Sequence, residues 1–281
     1  MDHQTTPAPA RLPAGRKAEL LAYVAEAEHA TVAQLAARFE VSADTIRRDL
    51  HQLHRRGLVV RTHGGAVSVD VIGAAEKRLD VRMQIHTEEK ERIGALAATL
   101  VSSNSVLMIN AGTTTLSVVR HLGERRDLTI ATNNLRIATE ISPNIVRDLY
   151  LFGGSVRIGG QATIGPVSLQ LPGGRDLQLR CDLALISVGA VSAKGGYSTS
   201  NLSEAVMMGE MMERATRVAI LADSSKFTEP LFAQIAGLDR AQYLVTDAAP
   251  PSELAEALGH AGVQILVATA SGQSENHKAA Q

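Results

Sequence analysis

From Thr31 to Ala66 the chain reads TVAQLAARFEVSADTIRRDLHQLHRRGLVVRTHGGA. Two apolar sets recur there at helical spacing: Val32, Leu35, Ala36 and Phe39, then Ile46, Leu50 and Leu53. Between the two helical segments, Glu40-Val41-Ser42 leaves only a few residues to turn the chain. Amphipathic helices joined that tightly must pack on each other, and this is how a helix-turn-helix presents its second helix to a DNA major groove. Leu20, Leu21, Val24 and Ala25 predict an earlier helix over 15–28. Leu58-Val59-Val60, running into His63-Gly64-Gly65, predicts a strand and a turn that together would form a wing.

Ser42 stands where it can cap the third helix by accepting a backbone N–H near Thr45. With Ile46 marking the buried face, Asp44, Arg48, His51 and Arg55 fall opposite it, and Thr45 and Arg47 lie on the flanks. Arginine can pair bidentately with guanine, and Ser or Thr reaches bases or phosphates. Ser42, Ala43, Thr45 and Arg48 are therefore the candidates for reading bases, with Arg47 suited to a base or a phosphate. Arg61, His63 and Gly64 of the wing are the candidates for phosphate contact. The same helix face also fits a solvated set of i,i+3 and i,i+4 ion pairs. Charge helps decide between the two: residues 42–66 hold five arginines (Arg47, Arg48, Arg55, Arg56 and Arg61) against Asp44 and Asp49, while the whole chain carries only −1.

A length of 281 residues allows one large domain or two ordinary ones, and 45% hydrophobic with 20% charged residues fits a globular protein. Cys181 is the sole cysteine, which excludes an intramolecular disulfide and a cysteine zinc cluster and fits a reducing cytosol. No apolar run has transmembrane length and no signal-peptide pattern opens the chain, so a cytoplasmic protein is expected. His51 and His54 have i,i+3 spacing without a third ligand, so neither metal nor cofactor is expected. Residues 1–13 and 270–281 read as disordered ends, 14–69 as the DNA-binding domain, 70–86 as a linker and 87–269 as an effector-binding and oligomerisation domain.

In that larger segment strands and helices alternate. Strands are expected over 106–109, 128–131, 148–151, 183–188, 218–221, 243–245 and 264–267. Helices are expected from Thr87 and over 114–122, 135–141, 203–214 and 252–258. The alternation implies a mostly parallel α/β sheet, whose ligands collect beyond the carboxyl ends of the strands. At the first such end Asn110-Ala111-Gly112-Thr113-Thr114-Thr115 opens a helix and offers backbone N–H groups and hydroxyls that suit a phosphate, though a plain capped turn has the same sequence. Asn133, Gly154 and Lys226 follow other strands and complete the candidate effector set with Asn110, Gly112, Thr113, Thr114 and Thr115. Asp182, Glu204 and Asp223 are the carboxylates available to an enzymatic alternative, although no clustered acidic motif marks them.

The stretch VSADTIRRDLHQLHRRGLVVRTHGGA resembles the signature of the DeoR family of bacterial transcription regulators. Lys90, Gly112-Thr113-Thr114-Thr115, Thr132-Asn133, Gly153-Gly154, Asp182, Gly189-Ala190, Glu204-Ala205 and Asp223-Ser224-Ser225-Lys226-Phe227 extend the likeness across roughly 16–228. The resemblance implies a winged helix-turn-helix ahead of a domain similar to sugar-phosphate isomerases. It also implies double-stranded operator DNA and a phosphorylated sugar as partners, a homo-oligomer, and usually a repressor of carbohydrate metabolism. The alternative is a sugar-phosphate isomerase-type enzyme with an appended DNA-binding module. Asn110 departs from the family, which usually has Asp there, so a fixed negative charge beside the anion loop is missing.

Overall fold

The computed structural model describes residues 13–27, 29–55, 58–62, 64–68, 79–167, 169–171, 175–177, 179–268 and 274–277. The chain divides into two compact units, one ending at His86 and one beginning at Thr87.

The first unit contains α1 (Pro13–Ala27), β1 (His29–Thr31), α2 (Val32–Phe39), α3 (Ala43–Arg55), β2 (Val59–Thr62), β3 (Gly65–Ser68) and α4 (Leu79–Gln84). Helix α2 starts at a capping box: Thr31 Oγ1 accepts the Gln34 N–H at 3.2 Å, and Gln34 Oε1 accepts the Thr31 N–H at 2.8 Å. It stops at Glu40, whose left-handed backbone (φ 53°) turns the chain into α3. Leu20, Val24, Leu35, Phe39, Ile46, Leu50, Leu53 and Val59 form one core, so the apolar stripes of three helices and strand β2 meet. The wing has three strands in the order β1-β3-β2, all antiparallel. Strand β1 was not expected; its three residues carry no alternating pattern, and their pairing with Gly65–Val67 defines it. That pairing explains the second glycine of the turn, because a Cβ on Gly65 would run into the backbone of Ala30 and Thr31, whereas Gly64 has open space. Of the linker expected over 70–86, 70–78 lie outside the described residues; α4 occupies the part from Leu79.

The second unit runs α5 (Thr87–Ala98), β4 (Val106–Ile109), α6 (Thr113–Arg120), β5 (Leu128–Thr132), α7 (Ile137–Glu140), β6 (Val146–Leu151), β7 (Ser155–Arg157), β8 (Ala162–Ile164), β9 (Leu169–Leu171), β10 (Arg175–Leu177), β11 (Cys181–Ser187), β12 (Ala190–Ser192), β13 (Gly196–Thr199), α8 (Leu202–Glu213), β14 (Ala215–Leu221), β15 (Ala233–Ala236), β16 (Tyr243–Thr246), α9 (Ser252–His260), β17 (Gln264–Ala268) and β18 (Ser274–His277). Eight strands make one sheet in the order β18-β17-β16-β14-β11-β4-β5-β6, parallel except for β18. The seven parallel strands are those the apolar runs predicted; the inner ones are covered on both faces, whereas β6 at the edge leaves Tyr150 and Leu151 exposed. Ala184 and Ile186 of β11 join a core with Met207, Met208, Met211 and Met212 of α8, while the alternating Leu183 and Leu185 are buried on the opposite face, where α6 packs on β11. Of the tail expected over 270–281, only Ser274–His277 lie within the described residues, and they pair antiparallel along the outer edge of β17.

Two ribbons and a small sheet lie outside the sequence expectation: β7 with β8, β9 with β10, and β12-β13-β15. The chain goes from β4 outward through β5 and β6, then returns to the other side of β4 and proceeds through β11, β14, β16 and β17. The direction of winding therefore reverses between β4 and β11, and such a switch point opens a crevice at the carboxyl ends of its strands.

Candidate functional site

The first candidate surface is the exposed side of α3. Ser42 caps it as expected, accepting the Thr45 N–H at 3.2 Å, and the two hydroxyls lie 2.9 Å apart. Ile46 is fully buried, while Ser42, Asp44, Arg47, Arg48 and His51 are exposed and Ala43 and Thr45 half-buried. Arg47 donates to Asp44 at 2.7 Å with both side chains more than half exposed, so this pair adds only about 0.2–0.5 kcal/mol and yields readily to a phosphate. Asp49 behaves differently. Counted in the sequence as a charge offsetting the arginines, it is buried and accepts the Arg16 Nε at 2.7 Å, tying α3 to α1. Gly64 is exposed at the wing turn, and Arg61 stands on β2 opposite Ala66. His63 and the side chain of Arg61 lie outside what is described.

The second candidate site is the carboxyl edge of the parallel sheet. The register pairs Ile109 with Thr132 and Leu185, Ser187 with Leu221, and Leu221 with Val245, so the loops after β4, β5, β11, β14 and β16 leave from one edge. Asn110 spans the switch point there. Its Nδ2 donates to the Ser187 carbonyl at 2.8 Å, and its Oδ1 accepts the Ser187 N–H at 2.9 Å and the Ser187 hydroxyl at 3.3 Å. A Cβ on Gly112 would strike Ser187 Oγ, so the loop needs glycine for its approach to β11.

Several expected ligand groups are spent inside the protein. Thr115 is fully buried and donates to the carbonyls of Asn110 (2.8 Å) and Gly112 (3.0 Å). Asn133 accepts the Ala111 N–H at 2.7 Å and donates to the Thr163 carbonyl at 2.9 Å. Asn110, Thr115 and Asn133 thus shape the loop. Gly154 stands at the base of the β7–β8 ribbon with φ 121°, where a side chain would meet the Ile164 backbone. What remains for a ligand is the first turn of α6 with the hydroxyls of Thr113 and Thr114, and the ammonium of Lys226, none of which has a side-chain partner among the described residues. Lys226 closes the short 3-10 turn after β14, two strands from β4, which is about 10 Å along the sheet. Sequence reasoning missed Ser187; only its pairing with Asn110, seventy-seven residues away, marks it.

Of the carboxylates available to the enzymatic alternative, one lies away from the carboxyl edge and the other two are engaged locally. Asp182 accepts the Val106 N–H at 2.8 Å where β4 and β11 begin, the edge opposite the Asn110–Thr115 loop. Glu204 pairs with Arg157 at 2.8 Å, and Asp223 caps the turn at Ser225. Each has a local structural task.

The family model described as the DeoR-like helix-turn-helix domain matches residues 16–71, and that of the DeoR C terminal sensor domain matches 85–248. The HTH-type transcriptional regulator GlpR of Haloferax volcanii is 31% identical over 91% of this chain and 98% of its own length. The glycerol-3-phosphate regulon repressor of Escherichia coli (strain K12) is 27% identical over 88% of this chain and 95% of its own. Among solved structures, a ribose 5-phosphate isomerase from Plasmodium falciparum aligns at 12% identity and TM-score 0.34, covering 50% of this chain and 52% of that one, a likeness on which no argument rests. Capped recognition helix, wing and sensor domain, matched in that order over most of the chain, identify this protein as a member of the DeoR family of DNA-binding transcriptional regulators.

Proposed function

We propose that the protein represses a carbohydrate-metabolism operon and is released from its operator by a phosphorylated sugar or sugar-derived metabolite. The observation that carries this reading is the α6 N-terminus at the switch point. Its orphan backbone N–H groups, the two buried threonine hydroxyls and the nearby Lys226 converge on one edge, a donor set that suits a phosphate. Buried polar groups normally find partners. Asn134 Nδ2 and Thr246 Oγ1, buried at the same edge, have none among the described residues, and the hydroxyls of a sugar would serve Asn134. Related regulators named for glycerol-3-phosphate support the same chemistry.

On the DNA side, Arg48, Ser42, Ala43 and Thr45 read bases. Arg47 holds phosphate once it leaves Asp44, and Arg61, His63 and Gly64 hold the backbone at the wing. A homo-oligomer in the cytoplasm supplies the second reading module for a two-fold operator. Asp182 at the opposite edge, Glu204 paired with Arg157 and Asp223 capping its own turn favour sensing over isomerisation, since proton abstraction needs a free base within reach of the substrate carbon.

A double dissociation tests the assignment. Arg48→Ala should lower promoter affinity and erase sequence preference while calorimetric sugar-phosphate binding persists. Thr113→Ala and Lys226→Ala should leave promoter binding intact and blunt release. Unchanged promoter preference in the first variant, or unchanged release in both of the others, refutes the corresponding half.

A further inference from the structure

We propose that Glu91 couples the effector loops to the element that leads into the DNA-binding unit, so that a relay runs from α6 and α7 through one carboxylate into α5. The inference rests on the effector reading above and assigns its transmission.

Two of the candidate effector loops open helices. Gly112 leads into α6, and Asn133-Asn134 leads through a short turn into α7. The charges of both helices converge on Arg120 at the end of α6. Its Nε and Nη2 each meet Glu140 Oε2 of α7 at 2.9 Å, and its Nη1 meets Glu91 Oε1 of α5 at 2.9 Å. Glu91 also accepts the Ser117 hydroxyl at 3.1 Å and faces His121 Nε2 at 2.9 Å across its other oxygen. One carboxylate thus binds two residues of α6 and His121 at its C-terminal cap, and through Arg120 it is tied to α7.

Steric contact reinforces the charge contact. Gly94 lies one turn after Glu91, and a Cβ there would stand 2.7 Å from the Ser117 carbonyl carbon and 2.8 Å from its Cβ. Helix α6 is buried continuously from Thr113 to Val119, so a displacement at its first turn carries to its last. Helix α5 begins at Thr87, the residue following the end of the first unit. A shift of α6 on ligand binding therefore has a fixed point of attachment on the first element of the sensor unit.

The network is only partly buried, with Glu91 and Arg120 side chains 35% and 36% exposed, so it adds little to stability and its loss leaves the fold standing. Its value is registration between helices. Coupling between sites is measured as the factor by which one ligand changes affinity for the other.

The test compares full-length wild type with Glu91→Gln, Gly94→Ala and the milder Ser117→Ala. Promoter DNA affinity is measured with and without glycerol 3-phosphate, glucose 6-phosphate and fructose 1,6-bisphosphate, and binding of each is measured by calorimetry without DNA. In Glu91→Gln, affinity for DNA alone and for sugar phosphate alone should stay within about threefold of wild type, while their mutual effect drops by about tenfold; Gly94→Ala, whose Cβ pushes α6 aside, should lose the coupling and weaken sugar-phosphate binding as well. Ser117→Ala should fall between, and keeps the relay testable if the glycine variant does not fold. Wild-type coupling in Glu91→Gln and Ser117→Ala overturns the relay and leaves the effector reading standing. A wild type that responds to none of the three sugars removes the effector reading and the relay together.

Discussion

Asn110 and Ser187 bridge β4 and β11 through a side chain that imitates backbone: the amide of Asn110 exchanges two hydrogen bonds, 2.8 and 2.9 Å, with the peptide groups of Ser187. Parallel strands would otherwise part at this level, because it is the switch point of the sheet. The amide is suited to the task because it donates and accepts at once. An ionised aspartate would face the Ser187 carbonyl with a second acceptor. Asn110 is therefore committed to holding the loop after β4 against β11.

Asn110→Ala strands the N–H and carbonyl of a buried residue, and should cost about 1–3 kcal/mol of unfolding free energy. Ser187→Ala loses only the 3.3 Å hydroxyl contact and should cost clearly less. Urea unfolding of both variants measures the difference; equal losses would show that the backbone-like pair is not the source.

Asp49 with Arg16 holds α3 to α1 in a site where the side chains are 6% and 13% exposed. Asp49→Ala leaves the guanidinium buried and uncompensated, at a cost of about 3 kcal/mol. Hydrogen exchange in α1 and α3 should accelerate and promoter binding should weaken, whereas sugar-phosphate binding by the second unit should not change.

Burial would by itself raise the pKa of Glu91, but hydrogen bonds from His121, Arg120 and Ser117 outweigh it and hold the carboxyl below its ordinary range. A depressed folded-state value stabilises the fold above the unfolded pKa, near 4.3 for Glu, and that contribution disappears as pH falls through the folded value. Urea midpoints from pH 7 down to 3 should fall less steeply in Glu91→Gln than in wild type. Parallel slopes would contradict the attribution.

Burial pushes the Cys181 thiol up from 9.0 to about 12, with backbone hydrogen bonds from Met108 and Leu183 opposing and the charge of Asp182 adding to the rise. At pH 8 its thiolate population should be about a thousandfold below that of an ordinary cysteine. An aromatic disulfide reagent should therefore release no thiol signal from native protein and one equivalent after denaturation.

The sequence disclosed the parts whose information is local. Val106–Ile109 and Leu183–Ile186 read as strands because a sheet covered on both faces needs unbroken apolar runs. The α3 face was legible from its period, and Ser42 from its place before Ala43. Strands β7 to β10, β12 and β13 are three or four residues long and exist through antiparallel pairing, which no local period announces. At the candidate sites, residue types singled out loops at the strand ends without revealing how their atoms are spent. Thr113 and Thr115 look equivalent in sequence, yet only the Thr115 hydroxyl is consumed within the turn. Asp49 counted in sequence only as a charge set against the arginines, because Arg16, thirty-three residues earlier, gives no local signal.

The most direct measurement is fluorescence anisotropy of the full-length chain on its own promoter duplex and on a random duplex, at moderate ionic strength, with and without phosphorylated sugars. The account predicts preference for the promoter by at least about a thousandfold, lost when a phosphorylated sugar is added but retained with the unphosphorylated sugar. Equal affinity for the two duplexes, or release that ignores the phosphate, would contradict it.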